Sequence, residues 1–246
     1  MLNYLNSALV ALQFLTQVPV HFKQYPDQKT AAASLIFYPA IGLLIGCLLV
    51  LAASLFSAVP AMLSAAMLLS IWVAITGALH MDGLADSCDA WMGGQGDTQR
   101  TLEIMKDPCS GPIAVVTLIC LLLLKFTALL AILELQQYHL LLLAPLISRS
   151  MLPLLLLNTP YVRANGIGAS LVANAPKTLV YMAAGCGLVI AYALGSLTVL
   201  IFAALGFLAL RMLMIKRLEG LTGDTAGASI ELVETLVLLS VVISIY

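Results

Sequence analysis

Three aspartates lie close together in a chain that is otherwise strongly apolar. Asp82, Asp86 and Asp89 follow one another at spacings of four and three residues, which on a helix places their carboxylates on one face. Like charges side by side repel one another unless a cation lies among them. Carboxylate oxygens are ligands that Mg²⁺ prefers, so the pattern predicts a site for Mg²⁺ or a similar hard cation. A solvated helix end is the alternative interpretation.

A second acidic motif lies near the C-terminus, between Thr222 and Glu231. Asp224 and Glu231 are seven residues apart, so on a helix they share one face. Asp224 could be a simple helix cap, whereas a carboxylate as deep in an apolar segment as Glu231 is a functional candidate. We expect the two acidic motifs to meet, and the predicted metal ligands are Asp82, Asp86, Asp89 and Asp224.

Several basic side chains are candidates for binding the phosphate groups of a substrate, because guanidinium groups match phosphate oxygens. The candidates are Arg100, Lys106, Arg149 and Arg163. Arg149 and also Lys125 lie inside apolar segments, where snorkelling towards the interface is the alternative. Backbone amides at Ser110–Pro112 could also receive an anion. Acids and bases clustered in this way favour metal-assisted phosphoryl transfer.

The composition predicts how these residues are carried. Of 246 residues, 62% are hydrophobic and 9% are charged, and a membrane span needs roughly 20 apolar residues. We therefore predict one all-α polytopic membrane domain over residues 1–246. The net charge of −1 gives no indication of a nucleic-acid partner. The seven predicted spans cover about 34–57, 61–79, 112–133, 138–158, 179–195, 197–213 and 229–246.

The basic residues predict the orientation of these spans. All of them except Lys125 and Arg149 fall on one side of the predicted topology, which the positive-inside rule makes cytoplasmic. The long polar loops, and with them the site, should then face the cytoplasm. Leucines at helical spacing before residue 13 predict an amphipathic helix at the interface; a full span is the alternative.

The motifs in combination resemble the cobalamin synthases, the adenosylcobinamide-GDP ribazoletransferase family. The matching pieces span nearly the whole chain, and the most specific are His80–Asp86, read as HxDGLAD, and Gly223–Glu231, read as GDTxGAxxE. The resemblance implies that adenosylcobinamide-GDP is joined to α-ribazole or its 5′-phosphate with release of GMP, with Mg²⁺ as cofactor. The catalytic positions that it implies are Asp82, Asp86, Asp89, Asp224 and Glu231.

Two other functions compete with this interpretation. The Asp82-Gly83 pair also resembles the CDP-alcohol phosphotransferases, which act on lipids, but the longer spacing of their downstream aspartates is absent. A cation transporter should carry its acids near the membrane midplane, whereas most acids here are predicted near the cytoplasmic face. The segment Pro108–Pro112 departs from the family pattern, so contacts made by that turn must differ. The sequence is compatible with a homo-oligomer in the lipid bilayer.

Overall fold

The computed structural model describes residues 3–163 and 166–245, and within these ranges the chain is helical, without a strand. Short 3₁₀ turns at Ala33–Phe37 and Tyr138–Leu142 each lead directly into a longer helix. The helices are α1 Tyr4–Leu15, α2 Gln28–Ala32, α3 Tyr38–Leu55, α4 Ala61–Thr76, α5 Leu79–Gly93, α6 Thr98–Ile104, α7 Pro112–Glu134, α8 Leu143–Asn158, α9 Ile167–Asn174, α10 Lys177–Leu194, α11 Leu197–Leu218 and α12 Gly223–Ile245.

Six helical segments in the described ranges are long and apolar enough to cross a membrane. The bent pair α4 and α5 meets the same criterion when taken together, which makes up to seven spans. The prediction of an all-α multi-pass membrane protein is therefore confirmed. The six segments are Gln28–Leu55, Pro112–Glu134, Tyr138–Asn158, Lys177–Leu194, Leu197–Leu218 and Gly223–Ile245.

The second predicted span is broken, and this changes the setting of the acidic motif. Between α4 and α5 the chain bends by 88°, because Gly77 and Ala78 both have left-handed backbone angles, with φ of 64° and 55°. A side chain at position 77 would have no room, since its Cβ would lie 2.0 Å from the amide nitrogen of the Gln17 side chain. Helix α5 is thus a separate element, and the span predicted over 61–79 ends at Thr76.

Helix α5 packs more extensively on α12 than any other two elements pack on each other. Small residues allow this contact: a Cβ on Gly83 would lie 2.6 Å from the Asp224 carbonyl oxygen, and one on Gly227 would lie 3.3 Å from the His80 Cα. The two helices therefore run antiparallel, with His80 opposite Gly227 and Gly83 opposite Asp224. This register brings the two acidic motifs face to face.

Helix α1 is the short apolar helix predicted at the N-terminus, but it packs through an unexpected face. Its buried residues are Ser7, Val10, Ala11 and Leu15, whereas Leu5 of the leucine stripe is 70% exposed. The hydroxyl of Ser7 donates to the Thr30 carbonyl at 2.8 Å, because a small residue lets α1 approach the start of the first span. Of the leucine stripe, Leu5 therefore faces away from the protein, whereas Leu12 is half-buried and packs against the core.

Candidate active site

Side chains from both acidic motifs line one cavity of about 370 Å³. We call it the carboxylate cavity, after Asp82 of α5 and Asp224 of α12, which line it together with Arg163. Its remaining walls include Gly166, Gly168 and Gly223, the Tyr161 ring, and apolar side chains of α1, α8 and α12, and His80 and Tyr38 also line it. The cavity is open on one side, so a small molecule can enter beside the two carboxylates.

Asp224 is not the cap of its helix. The hydroxyl of Thr222 accepts from the Thr225 amide at 3.2 Å, and the hydroxyl of Thr225 accepts from the Thr222 amide at 2.9 Å. This reciprocal pair satisfies the first turn of α12, and the Asp224 carboxylate faces Arg163 instead, with 3.0 Å between Nη2 and Oδ2. Helix α12 also begins at Gly223, six residues before the predicted start of the span at 229. Asp224 therefore lies within the helix.

The loop after α8 positions Arg163 at the cavity. Tyr161 and Leu221 form an isolated parallel bridge, in which the Val162 amide donates to the Leu221 carbonyl at 2.9 Å and the Leu221 amide donates to the Pro160 carbonyl at 2.8 Å. Burial raises the pKa of the Tyr161 phenol, so its hydroxyl stays protonated at neutral pH. A positive charge and a neutral hydroxyl-bearing ring therefore stand beside the Asp224 carboxylate.

Asp86 and Asp89 line a neighbouring space that we call the acidic recess, together with Asp107. The carboxylate of Asp89 accepts hydrogen bonds from the backbone amides of Gly111 and, at 3.0 Å, Ala114. These amides open α7, so Asp89 lies where the helix dipole favours a negative charge. The Gly111 amide, which belongs to the segment predicted to receive a substrate anion, is thus occupied by a side chain of the protein. A metal role for Asp86 and Asp89 stays a prediction.

Glu231 lies in the bundle interior and not along the carboxylate cavity. Lys125 Nζ is 2.6 Å from Oε2 of Glu231 and 2.6 Å from Oε2 of Glu234, and Arg149 contacts the other oxygen of Glu234. The ring of Trp72 lies 4.8 Å from Lys125 Nζ. These four charged side chains, which are at most 2% exposed, form a buried ion network of two cations and two anions.

This network changes the interpretation of two candidate residues. Arg149, a predicted phosphate ligand, and Glu231, a predicted catalytic residue, are both engaged by other side chains, and these two roles stay predictions. Sequence reasoning left Glu234 aside, although an acid inside a span is by itself a signal. Among the other candidates, Arg100 and Lys106 are exposed and line neither the carboxylate cavity nor the acidic recess.

The residues of the cavity that could hold a metal ion are the carboxylates Asp82 and Asp224. In the described part of the chain, no three His, Cys, Asp or Glu side chains are grouped so that they could hold a metal ion alone. Magnesium is usually held by one or two carboxylates, with substrate phosphates and water completing its shell. Asp82 and Asp224, on facing helices of one open cavity, provide such a pair.

Comparison with known proteins extends over almost the whole chain. The sequence profile described as "Cobalamin-5-phosphate synthase" matches residues 7–242. The chain is 52% identical over 242 residues to the adenosylcobinamide-GDP ribazoletransferase of Stutzerimonas stutzeri (strain A1501), covering 96% of this chain and 98% of that protein. It is 52% identical to the enzyme of that name from Pseudomonas fluorescens (strain Pf-5), covering 94% and 97%, and 49% identical to that of Pseudomonas aeruginosa (strain UCBPP-PA14), covering 96% and 97%. No solved structure matches.

Proposed function

Because the chain belongs to the cobalamin-5-phosphate synthase family, we propose that it is an adenosylcobinamide-GDP ribazoletransferase. A ribose hydroxyl of α-ribazole, or of its 5′-phosphate, attacks the phosphorus that is bound to cobinamide. The new P–O bond forms as the P–O bond to GMP breaks, and the hydroxyl loses its proton. GMP leaves, and the two halves of the cobalamin nucleotide loop are joined.

The observation that carries this proposal is that Asp82, Asp224 and Arg163 line one cavity. The Arg163 guanidinium, already paired with Asp224, can bind an oxygen of the donor diphosphate. Asp82 and Asp224, with Asp86 one turn beyond Asp82, would hold Mg²⁺. The ion, when bound, neutralises phosphate charge and stabilises the leaving phosphate. A carboxylate not engaged in binding can take the proton of the attacking hydroxyl.

The proposed orientation places the carboxylate cavity at the cytoplasmic face of a bacterial inner membrane. The start of α3, the end of α8 and the start of α12 all reach this cavity, through Tyr38, Leu156 and Asp224. Since α3 leads away from the cavity and the chain is back at it by the start of α5, the proposed topology requires the bent pair α4 and α5 to form the second span. Reporter fusions after Lys106 and Arg163 should read cytoplasmic, and a fusion after Gln136 should not. A periplasmic reading at Arg163 would reject the orientation.

Nucleotide release by purified protein tests the function. In detergent, with adenosylcobinamide-GDP, α-ribazole and Mg²⁺, we expect GMP. Asp82→Asn should lower the rate on the order of 10²–10³-fold, whereas Glu134→Gln, an exposed acid at the far end of α7, should leave it unchanged. Chelation should abolish turnover, and Ca²⁺ should restore it less well than Mg²⁺ because Ca²⁺ is larger and geometrically less strict.

The same assay separates the rival functions. A CDP-alcohol phosphotransferase would release CMP from CDP-diacylglycerol and no GMP from adenosylcobinamide-GDP. A transporter would release no nucleotide in detergent, where no membrane gradient exists. Either result, or full activity of Asp82→Asn, would contradict the proposal.

A further inference from the structure

The carboxylate cavity has a charged end, formed by Asp82, Asp224 and Arg163. Beyond these residues it continues into an apolar part, which we call the apolar chamber. On α12 the lining runs from Asp224 to Ile230, six residues or about 9 Å along the helix axis. Leu152 and Leu156 of α8 and Phe14 of α1 form the facing walls. The cavity therefore offers charge at one end and an apolar surface at the other.

His80 is a polar side chain in the wall of this chamber. It lies opposite Gly227, about one helical turn deeper than the Gly83–Asp224 contact. The residue is only 5% exposed, and its buried Nδ1 has no hydrogen-bond partner. Tyr38 also lines the cavity.

The unpartnered nitrogen indicates which tautomer of His80 the protein favours. A neutral imidazole has one N–H donor and one acceptor nitrogen. No acceptor lies beside the buried Nδ1, so a proton on that nitrogen would have no partner, and the proton belongs on Nε2, at the tip of the ring. His80 can then present a neutral donor to a molecule in the chamber.

The parts of the proposed substrates differ in how well they match such a chamber. The corrin ring with its side chains is far larger than a cavity of about 370 Å³. Guanine carries several donors and acceptors on its edges, and most would lose water without gaining a partner, which is unfavourable. The dimethylbenzimidazole base of α-ribazole is apolar on nearly all sides and has one acceptor, its unsubstituted ring nitrogen.

We propose that the apolar chamber binds the benzimidazole base of the acceptor, and that Nε2–H of His80 donates to the unsubstituted ring nitrogen of that base. This inference rests on the proposed function. With the base in the chamber, the attached ribose lies towards Asp82 and Asp224, where its hydroxyl must react. The apolar chamber thus binds the acceptor, and the charged end of the cavity binds the diphosphate of the donor.

Acceptor analogues test this assignment in the intact enzyme. The α-riboside of 5,6-dimethylindole keeps the shape of α-ribazole but replaces the acceptor nitrogen by C–H. Wild-type protein should use it with a kcat/KM about 5- to 100-fold lower, since the His80 donor is then buried without a partner. In His80→Leu the two acceptors should differ by less than about 2-fold, while His80→Gln, which keeps a donor, should retain part of the preference.

Control measurements separate this chamber from the donor site. His139→Leu, an exposed histidine near the other end of the bundle, should keep the wild-type preference. The KM for adenosylcobinamide-GDP and the inhibition by GMP should not change in His80→Leu. Should His80→Leu fail to fold, the comparison of the two acceptors in the wild type still tests whether the protein recognises the acceptor nitrogen of the base.

Each contrary result has a distinct meaning. Absence of GMP release with any acceptor would reject the proposed function itself. GMP release at equal rates with both ribosides in the wild type would overturn the assignment of the base while leaving the function standing. Weaker inhibition by GMP in His80→Leu, with the acceptor preference unchanged, would place guanine in the chamber. This result would also overturn the assignment of the base.

Discussion

Substitution of Lys125 by methionine tests the buried ion network. The Lys125 ammonium lies 2.6 Å from a carboxylate oxygen of Glu231 and 2.6 Å from one of Glu234, and Arg149 supplies the second cation. Methionine fills similar space, so Lys125→Met removes charge and little packing. Two buried carboxylates then share one cation, and loss of one partner of a buried pair costs about 3–5 kcal/mol. We expect the free energy of unfolding to fall by that amount.

A double variant tests whether charge balance is the cause. Lys125→Met with Glu231→Gln leaves one cation, Arg149, and one anion, Glu234, which remain in contact. This variant should recover most of the lost stability, because replacing a complete buried pair is often close to neutral. It also separates two roles of Glu231: if this carboxylate only pairs with Lys125, the double variant keeps turnover, and if it is catalytic, the protein is stable but inactive.

Thermal unfolding in detergent measures the stability of each variant, and GMP release from the same preparations measures its activity. Lys177→Met, at an exposed lysine, is the matched control and should change stability by less than about 0.5 kcal/mol. Wild-type stability of Lys125→Met would refute the argument. So would a double variant no more stable than the single one.

Three further substitutions test the packing and contacts of the site. Gly83→Ala places a Cβ 2.6 Å from the Asp224 carbonyl oxygen, so α5 and α12 must separate and GMP release should fall at least about tenfold; Gly185→Ala, where nothing lies within 4 Å, is the control. Asp89→Ala removes the acceptor for the first amides of α7 and should lower the free energy of unfolding by about 0.5–2 kcal/mol, with Asp89→Asn closer to wild type. Arg163→Lys keeps charge but loses the planar fork, so the KM for the donor should rise more than the KM for the acceptor; equal changes would argue against a phosphate contact.

The sequence predicts much of the fold because the signal for a span is local. Apolar runs of about 20 residues define most of the spans, and α7 and the helical segment Tyr138–Asn158 begin at the predicted residues. The bend after Thr76 was missed, since nothing in the sequence marks Ala78 for a left-handed conformation. The start of α12 was placed too late, because Thr222–Glu231 is polar enough to look like a loop.

Contacts between distant residues were harder to predict. The register that sets Gly83 against Asp224 follows from small residues in both motifs, and those were visible in the sequence. The pairing of Lys125 with Glu234 joins residues 109 positions apart, and no local pattern indicates it. The bridge between Tyr161 and Leu221 depends likewise on how two loops meet, so it could not be predicted before the helices were placed.

Binding of Mn²⁺, followed by electron paramagnetic resonance as a substitute for Mg²⁺, tests most directly whether the two acidic motifs build one metal site. With adenosylcobinamide-GDP present and α-ribazole omitted, wild-type protein and Glu134→Gln should bind the ion equally well. Asp82→Asn and Asp224→Asn should each weaken binding strongly, because the ion needs carboxylates from both helices. If either variant bound Mn²⁺ as tightly as wild type, that aspartate would not be a metal ligand, and the carboxylate cavity would not be the site at which the two motifs act together.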